Sequence, residues 1–253
     1  MCNGSHFYAG EMNLDQIRDE LAPLGMLRAS INLGNPVLAQ GDSAGPSGVT
    51  VDLGAEIAQR LGVAVEYVCF DAARKSFEAL TTGDAVIGFM AIEPARADQV
   101  NFTAPYALIE GVFVVPADSS LSTVADVDRE GMRIGVKQGS AYDLFLTRTL
   151  EHAELVRGSE GVDVYADQEL EAGAGIRQPA TVFVESDARH RLIEDAFMQI
   201  RQAVAVPKAM SDETVAWLHS LVEQLKENGW VAAALKRSGQ GGVRVAPAES
   251  RQE

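Results

Sequence analysis

The sequence predicts an α/β protein of two similar units, each a mostly parallel sheet flanked by helices, with extended segments joining them. Three observations predict it. Five strand-like and helix-like stretches alternate between Met26 and Ile92, the rhythm of parallel pairing. The alternation restarts further along the chain. Two long extended stretches, 107–116 and 197–207, have the length to cross from one unit to the other. A cleft between two such units, at the carboxyl ends of their strands, is where a small ligand belongs.

Each element has a local reason. Residues 1–12 read as loose. NLDQIRDELAPLG (13–25) is a short helix that Asn13 or Asp15 can cap and Pro23-Leu24-Gly25 ends. MLRASINL (26–33) is a strand, followed by a loop at 34–48 rich in Gly, Pro and Ser. Residues 49–62 place Val51, Leu53, Ile57, Ala58 and Leu61 at near-helical spacing, with Gly62 as the stop. VAVEYVCF (63–70) is a strand. Residues 71–83 are a helix with Asp71 as cap, and AVIGFMAI (85–92) is a third strand.

In the second unit, 124–131 is a short helix and MRIGVKQGS (132–140) is a strand running into a turn. AYDLFLTRTL (141–150) is a helix and ELVRG (154–158) a strand. The composition of ELEAGAGI (169–176) favours a helix, and the β-branched run ATVFVES (180–186) a strand. Residues 211–230 form a helix opened by Ser211, with Val215, Leu218, Val222 and Leu225 on one side. VAAALKRSG makes a last helix, and the tail beyond Gly239 reads as loose.

Composition narrows the function classes. A chain of 253 residues, 47% of them hydrophobic, can fill real cores. A net charge of −15 disfavours nucleic acid and anionic membranes, both of which need a basic face, and suits a dispersed monomer. No apolar run approaches the roughly 20 residues of a membrane span. MCNGSHFYAG lacks the pattern of a signal peptide, so a trimmed leader and a cytoplasmic protein are both open. Cys2 and Cys69 do not suggest a disulfide framework. His6, His152, His190 and His219 are scattered without metal-ligand spacing. There is no phosphate loop, dinucleotide fingerprint or G-x-S-x-G. No metal, cofactor or catalytic constellation is expected.

One stretch stands out. GFMAIEPARADQVNFTAPY (88–106) leaves an apolar strand, turns at Glu93 and Pro94, and sets a single cation, Arg96, before a second apolar run. A cation beside apolar segments is costly unless an anion meets it. A guanidinium offers two parallel N–H donors to a carboxylate. Pattern alone also allows a surface arginine paired with Glu93 or Asp98.

The pieces LGMLRASINLGNP, GVTVDLGAEIAQRLGVAVEYVCF, IEPARADQVNFTAPY, GMRIGVKQGSAYD and LVEQLKENGWVAAALKRSG occur in an order and spacing that covers roughly residues 24–240. This set resembles the bacterial extracellular solute-binding proteins of family 3, the amino-acid-binding type that serves ABC transporters. The P-x-R-x-x-x-V-x-F-x-x-P-Y core is the most specific piece. The resemblance implies a periplasmic-binding-protein type II fold with two lobes on hinge strands, a periplasmic location and a transporter partner. It implies a first lobe of 13–108 plus 202–240, a second of 111–198, and loose termini at 1–12 and 241–253.

The resemblance also implies roles. Arg96 matches the arginine that holds a ligand's α-carboxylate. Ala91 stands where the family often has Ser or Thr, so only its backbone remains for the ligand. Gly139, Ser140 and the Ala141 amide would add donors to the carboxylate, since backbone N–H groups at a helix start attract anions; locally, Ser140 also reads as a plain cap. Ala141 again replaces a frequent hydroxyl. Glu185 matches the carboxylate that receives the ligand's ammonium, with Asp187 a competitor under a small shift. Asn32 and Asn35 lie at the expected cleft edge. The usual stacking aromatic is replaced by Ala73 or Arg74, Phe70 and Phe77 read as core, and Lys75 as a solvated helix face. Gln199 and Gln202 suit the cleft or hinge packing equally. The wall therefore reads as polar and amide-lined. The alternative function is a dehydratase on the same fold, with Glu185 as general acid, or a ligand-sensing binder unlinked to transport.

Overall fold

Asn13 caps the first helix, α1 (Leu14–Leu21), by accepting the Gln16 N–H at 3.3 Å, and Ile17 and Leu21 form its buried face. The computed structural model describes residues 13–249. The first half continues with β1 (Met26–Asn32), α2 (Val49–Leu61), β2 (Ala64–Phe70), α3 (Ala73–Thr82) and β3 (Ile87–Ala91). β1 pairs in parallel with both β2 and β3, as the alternation predicts. Helix α2 buries Leu53, Ile57, Ala58 and Leu61 and ends at Gly62, whose φ of +69° closes the last turn. Burying a side chain of that size stabilises by about 1.5–3 kcal/mol.

After the short α4 (Pro94–Ala97) comes β4 (Val100–Pro116), a strand of 17 residues. The second half holds β5 (Arg133–Lys137), α5 (Ala141–Thr149), β6 (Glu154–Gly158), α6 (Gly161–Asp167), β7 (Ala172–Ile176), α7 (Arg177–Ser186) and β8 (His190–Leu192). The chain then returns along β9 (Met198–Pro207) into α8 (Asp212–Glu227), α9 (Trp230–Arg237) and the two-residue β10 (Arg244–Val245). The strand order is β2-β1-β3-β9-β4-β7-β5-β6. The long antiparallel pair β4 and β9 therefore runs between two parallel triplets. Residues 202–205 of β9 pair with β3, whereas residues 111–114 of β4 pair with β7. The two extended segments seen in the sequence are these strands, and β4 begins earlier than expected, at Val100.

Several local expectations are corrected. The helix anticipated at 169–176 and the strand anticipated at 180–186 are interchanged: β7 takes Ala172–Ile176 and α7 takes Arg177–Ser186. The reason is tertiary. A Cβ on Gly173 would lie 2.7 Å from Tyr165 Cβ, and one on Gly175 would lie 3.1 Å from Val162. The glycines let α6 lie against a central strand, and that packing outweighs the helical preference of the alanines. The β-branched run then winds into α7, leaving Val182 66% exposed. Asp71 does not cap α3, which starts two residues later behind Ala72; its carboxylate pairs with Lys75 at 2.7 Å instead. Helix α6 and strand β8 had no counterpart in the sequence reading. The tail beyond Gly239 is held, through β10, against Ala107 and Leu108 of β4. Residues 1–12 and 250–253 lie outside the described residues.

Gly173→Val should force Tyr165 away from β7 and cost about 1–3 kcal/mol, as overpacked cores do. A lower urea midpoint with an unchanged slope is the expected result.

Candidate functional site

Strands β1, β3, β5 and β7 all direct their carboxyl ends at one cavity of about 280 Å³. That volume is near the lower end of the range for small-molecule sites, about 300–1,000 Å³. Asn32 closes β1, Ala91 closes β3, Lys137 closes β5 and Ile176 closes β7, and all four line the space.

Arg96 is set in place by α4, which Pro94 starts with its pre-formed φ. Its side chain reaches inward and is only 4% exposed. The guanidinium donates to the Ala91 carbonyl at 3.3 Å and, across the cleft, to the Gly139 carbonyl at 3.1 Å. Among the described residues no carboxylate comes within 4.0 Å of it. A guanidinium has five N–H donors, so several remain for a ligand. Burial lowers its pKa to about 10 and nearby Glu93 pulls the other way, so it stays charged at neutral pH. Glu93 is itself buried, and it is held by Arg148 of α5 at 2.7 Å.

On the facing side, Gly139 adopts φ of +70° and its N–H donates to Asp143 at 2.8 Å. Ser140 caps α5 by accepting the Asp143 N–H at 3.1 Å, and Arg157 holds the Asp143 carboxylate at 3.0 Å. The turn is thus pinned. The N–H groups of Ala141 and Tyr142, first in the helix, have no carbonyl one turn earlier to bond. Ser140, Ala141 and Tyr142 line the cavity, while Gly139 meets it only through the Arg96 bond.

Asn32 and Asn35 line the space too. Each amide carbonyl accepts a local backbone N–H, from Gly34 at 3.1 Å and from Val37 at 3.3 Å, which turns the amide donors to other partners. Ala73 lines the cavity, and Phe70 and Phe77 pack on a small separate cluster. The alternatives for the two glutamines are resolved: Gln202 is buried and lines the cavity, whereas Gln199 is exposed. Lys75 is committed to Asp71.

Glu185 is a correction. As part of a strand it would have ended near the cleft. In α7 it lies nine residues beyond Ile176, about 13 Å further along a helix, and it is exposed and off the cavity wall. Asp187 also stays outside. It pairs with Arg189 at 2.6 Å, and that bonding pulls its pKa down to about 2.

Other wall residues had no assigned role in the sequence reading. Lys137 donates to the Gly34 carbonyl at 3.0 Å and pairs with Glu160 at the mouth. Its place at the end of a predicted strand was the available signal. Val162, Ile176, Pro179, Ala180 and Phe183 give an apolar wall opposite Arg96's side of the cleft, where polar and amide groups were expected.

Comparison with known proteins agrees with this fold. The family model for bacterial extracellular solute-binding proteins, family 3, matches residues 30–240. A mutant of ArgBP from T. maritima superposes with a TM-score of 0.72 at 22% identity, over 88% of this chain and 99% of that one. The amino acid ABC transporter substrate-binding protein AbpA from Streptococcus pneumoniae, bound to L-arginine, gives 0.71 at 18% identity, over 88% and 98%. An ancestral amino acid-binding protein, AncCDT-1, described as a precursor of cyclohexadienyl dehydratase, gives 0.70 at 21% identity, over 87% and 98%.

Arg148→Met should leave Glu93 buried with Arg96 as its nearest cation. The expected cost is about 1–3 kcal/mol of stability, moderated because the Arg148 end is 41% exposed. Chemical denaturation measures it, and the recovery expected in Glu93→Gln/Arg148→Met assigns the loss to the stranded carboxylate.

Proposed function

Because the chain belongs to the bacterial extracellular solute-binding proteins, family 3, we propose that its cavity captures a small carboxylate-bearing solute, an amino acid or a related acid. Delivery to an ABC transporter outside the cytoplasm follows from that membership. The observation that carries the reading is Arg96, a buried cation on the cavity wall with no carboxylate within 4.0 Å among the described residues. An ion in such a place is stabilised by an anion that arrives from outside. The carboxylate sits between the guanidinium, the Ser140 hydroxyl and the first N–H groups of α5. Asn32, Asn35 and Gln202 read the atoms beside it.

The lobes of this reading are 13–108 with 202–240, and 111–198. The crossing near 108–111 and 198–202 acts as the hinge. Arg96 to Gly139, Lys137 to Gly34 and Arg148 to Glu93 are the contacts that closure makes across the cleft. No described helix is long and apolar enough to cross a membrane, which suits a carrier that meets its transporter by docking.

We favour capture over turnover. Glu185, the acid assigned to the dehydratase reading, is exposed and off the cavity wall. Arg96→Leu tests the proposal. Circular dichroism should show a retained fold, while titration calorimetry should show at least a 100-fold loss of affinity for whichever carboxylate binds the unaltered protein, near 3 kcal/mol for two charge-assisted bonds. Affinity within a few-fold of the unaltered protein would rule out the assigned role.

A further inference from the structure

An α-amino acid brings an ammonium as well as a carboxylate, and a desolvated ammonium needs an anion or several free acceptors. Among the described residues the cavity wall offers no buried carboxylate and few free acceptors. Its carboxylates are Glu160 and Asp163, both exposed, and Glu160 is engaged by Lys137. Glu93 and Asp143 are buried nearby, but neither lines the cavity, and Arg148 and Arg157 hold them. Four of the acceptors near the space are taken as well, and the Gln202 side-chain carbonyl is left. The carbonyls of Ala91 and Gly34 receive Arg96 and Lys137, and the side-chain carbonyls of Asn32 and Asn35 receive backbone N–H groups.

Donors are in surplus: Arg96, the amide groups of Asn32 and Asn35, and the start of α5. Beside Thr50, Lys137, Gln138 and Gln202, much of the remaining wall is apolar, with Val162, Ile176, Pro179 and Phe183 on one side and Leu38 and Phe89 on the other. The complement of such a wall is an anionic head on an apolar body, with no cationic group.

We propose that the cleft selects monocarboxylates that lack an amino group and carry a compact branched or aromatic body, the class of 2-oxo acids and simple arylalkyl acids. This rests on the reading that Arg96 holds a carboxylate. Ile176 marks where the counter-charge is absent. It lines the cavity and precedes α7 as that helix's cap residue, yet its side chain caps nothing. An aspartate there would supply both a cap and an anion.

The test is calorimetry on the full chain with matched pairs: L-leucine against 4-methyl-2-oxopentanoate, and L-phenylalanine against 3-phenylpropanoate. The expected result is that the amine-free member binds at least tenfold tighter in one pair or both, and that Ile176→Asp shifts that preference at least tenfold towards the amino acid. Equal or tighter binding of the amino acids by the unaltered protein overturns the proposal, as does binding of L-arginine or L-lysine with none of the amine-free acids. An unchanged preference in a folded Ile176→Asp protein overturns the account of its cause. Arg96→Leu separates the layers: if it still binds the amine-free acids normally, the carboxylate reading fails. If it loses them while the unaltered protein prefers amino acids, only the class assignment fails.

Discussion

A guanidinium withdrawn from water without a carboxylate of its own organises this molecule. Desolvating a cation is expensive, and Arg96 recovers part of the cost from two carbonyls, one in each half of the chain. Those bonds fix its direction. They do not neutralise its charge, and burial brings its pKa only to about 10. The protein therefore carries a localised positive potential inside an apolar recess, while its surface is strongly acidic overall. On the reading proposed above, such a centre draws small anions that can leave water.

The surroundings are arranged so that this charge is not quenched. Glu93 is three residues from Arg96 and buried, and it would be the natural partner. Arg148 from the facing half takes it instead. Asp143, at the start of α5, is turned to the Gly139 N–H and Arg157. The same bonds shape the turn that faces Arg96. Glu93 and Asp143 are thus each held by an arginine that does not line the cavity.

Much of this was legible in the chain. The alternation from Met26 to Ile92, the caps at Asn13, Ser140 and Ser211, and the stop at Gly62 are local signals, and the structure follows them. Arg96 was marked by the P-x-R core of the family resemblance, since an isolated cation between apolar runs also fits a surface arginine. The second half was less legible, because Gly173 and Gly175 carry no signal of their own: their meaning lies in Tyr165 and Val162 packing over them. Reading 180–186 as a strand moved Glu185 to the cleft, whereas the carboxylates on the cavity wall are the exposed Glu160 and Asp163. The apolar wall of Val162, Ile176 and Phe183 stayed hidden for the same reason, since it is assembled from α6, β7 and α7 together.

The last described segment bears on how the protein can be engineered. Residues 244 and 245 lie along β4 at Ala107 and Leu108, the Ala246 N–H reaches the Tyr106 carbonyl at 3.1 Å, and buried Lys226 ties Pro105 to Pro247. This strap covers the crossing strand where bending between the halves would concentrate. Residues 244–249 are thus a splint for that strand. A fluorescent reporter joined beyond them would sit next to the proposed hinge, and one spliced in before them would remove the splint.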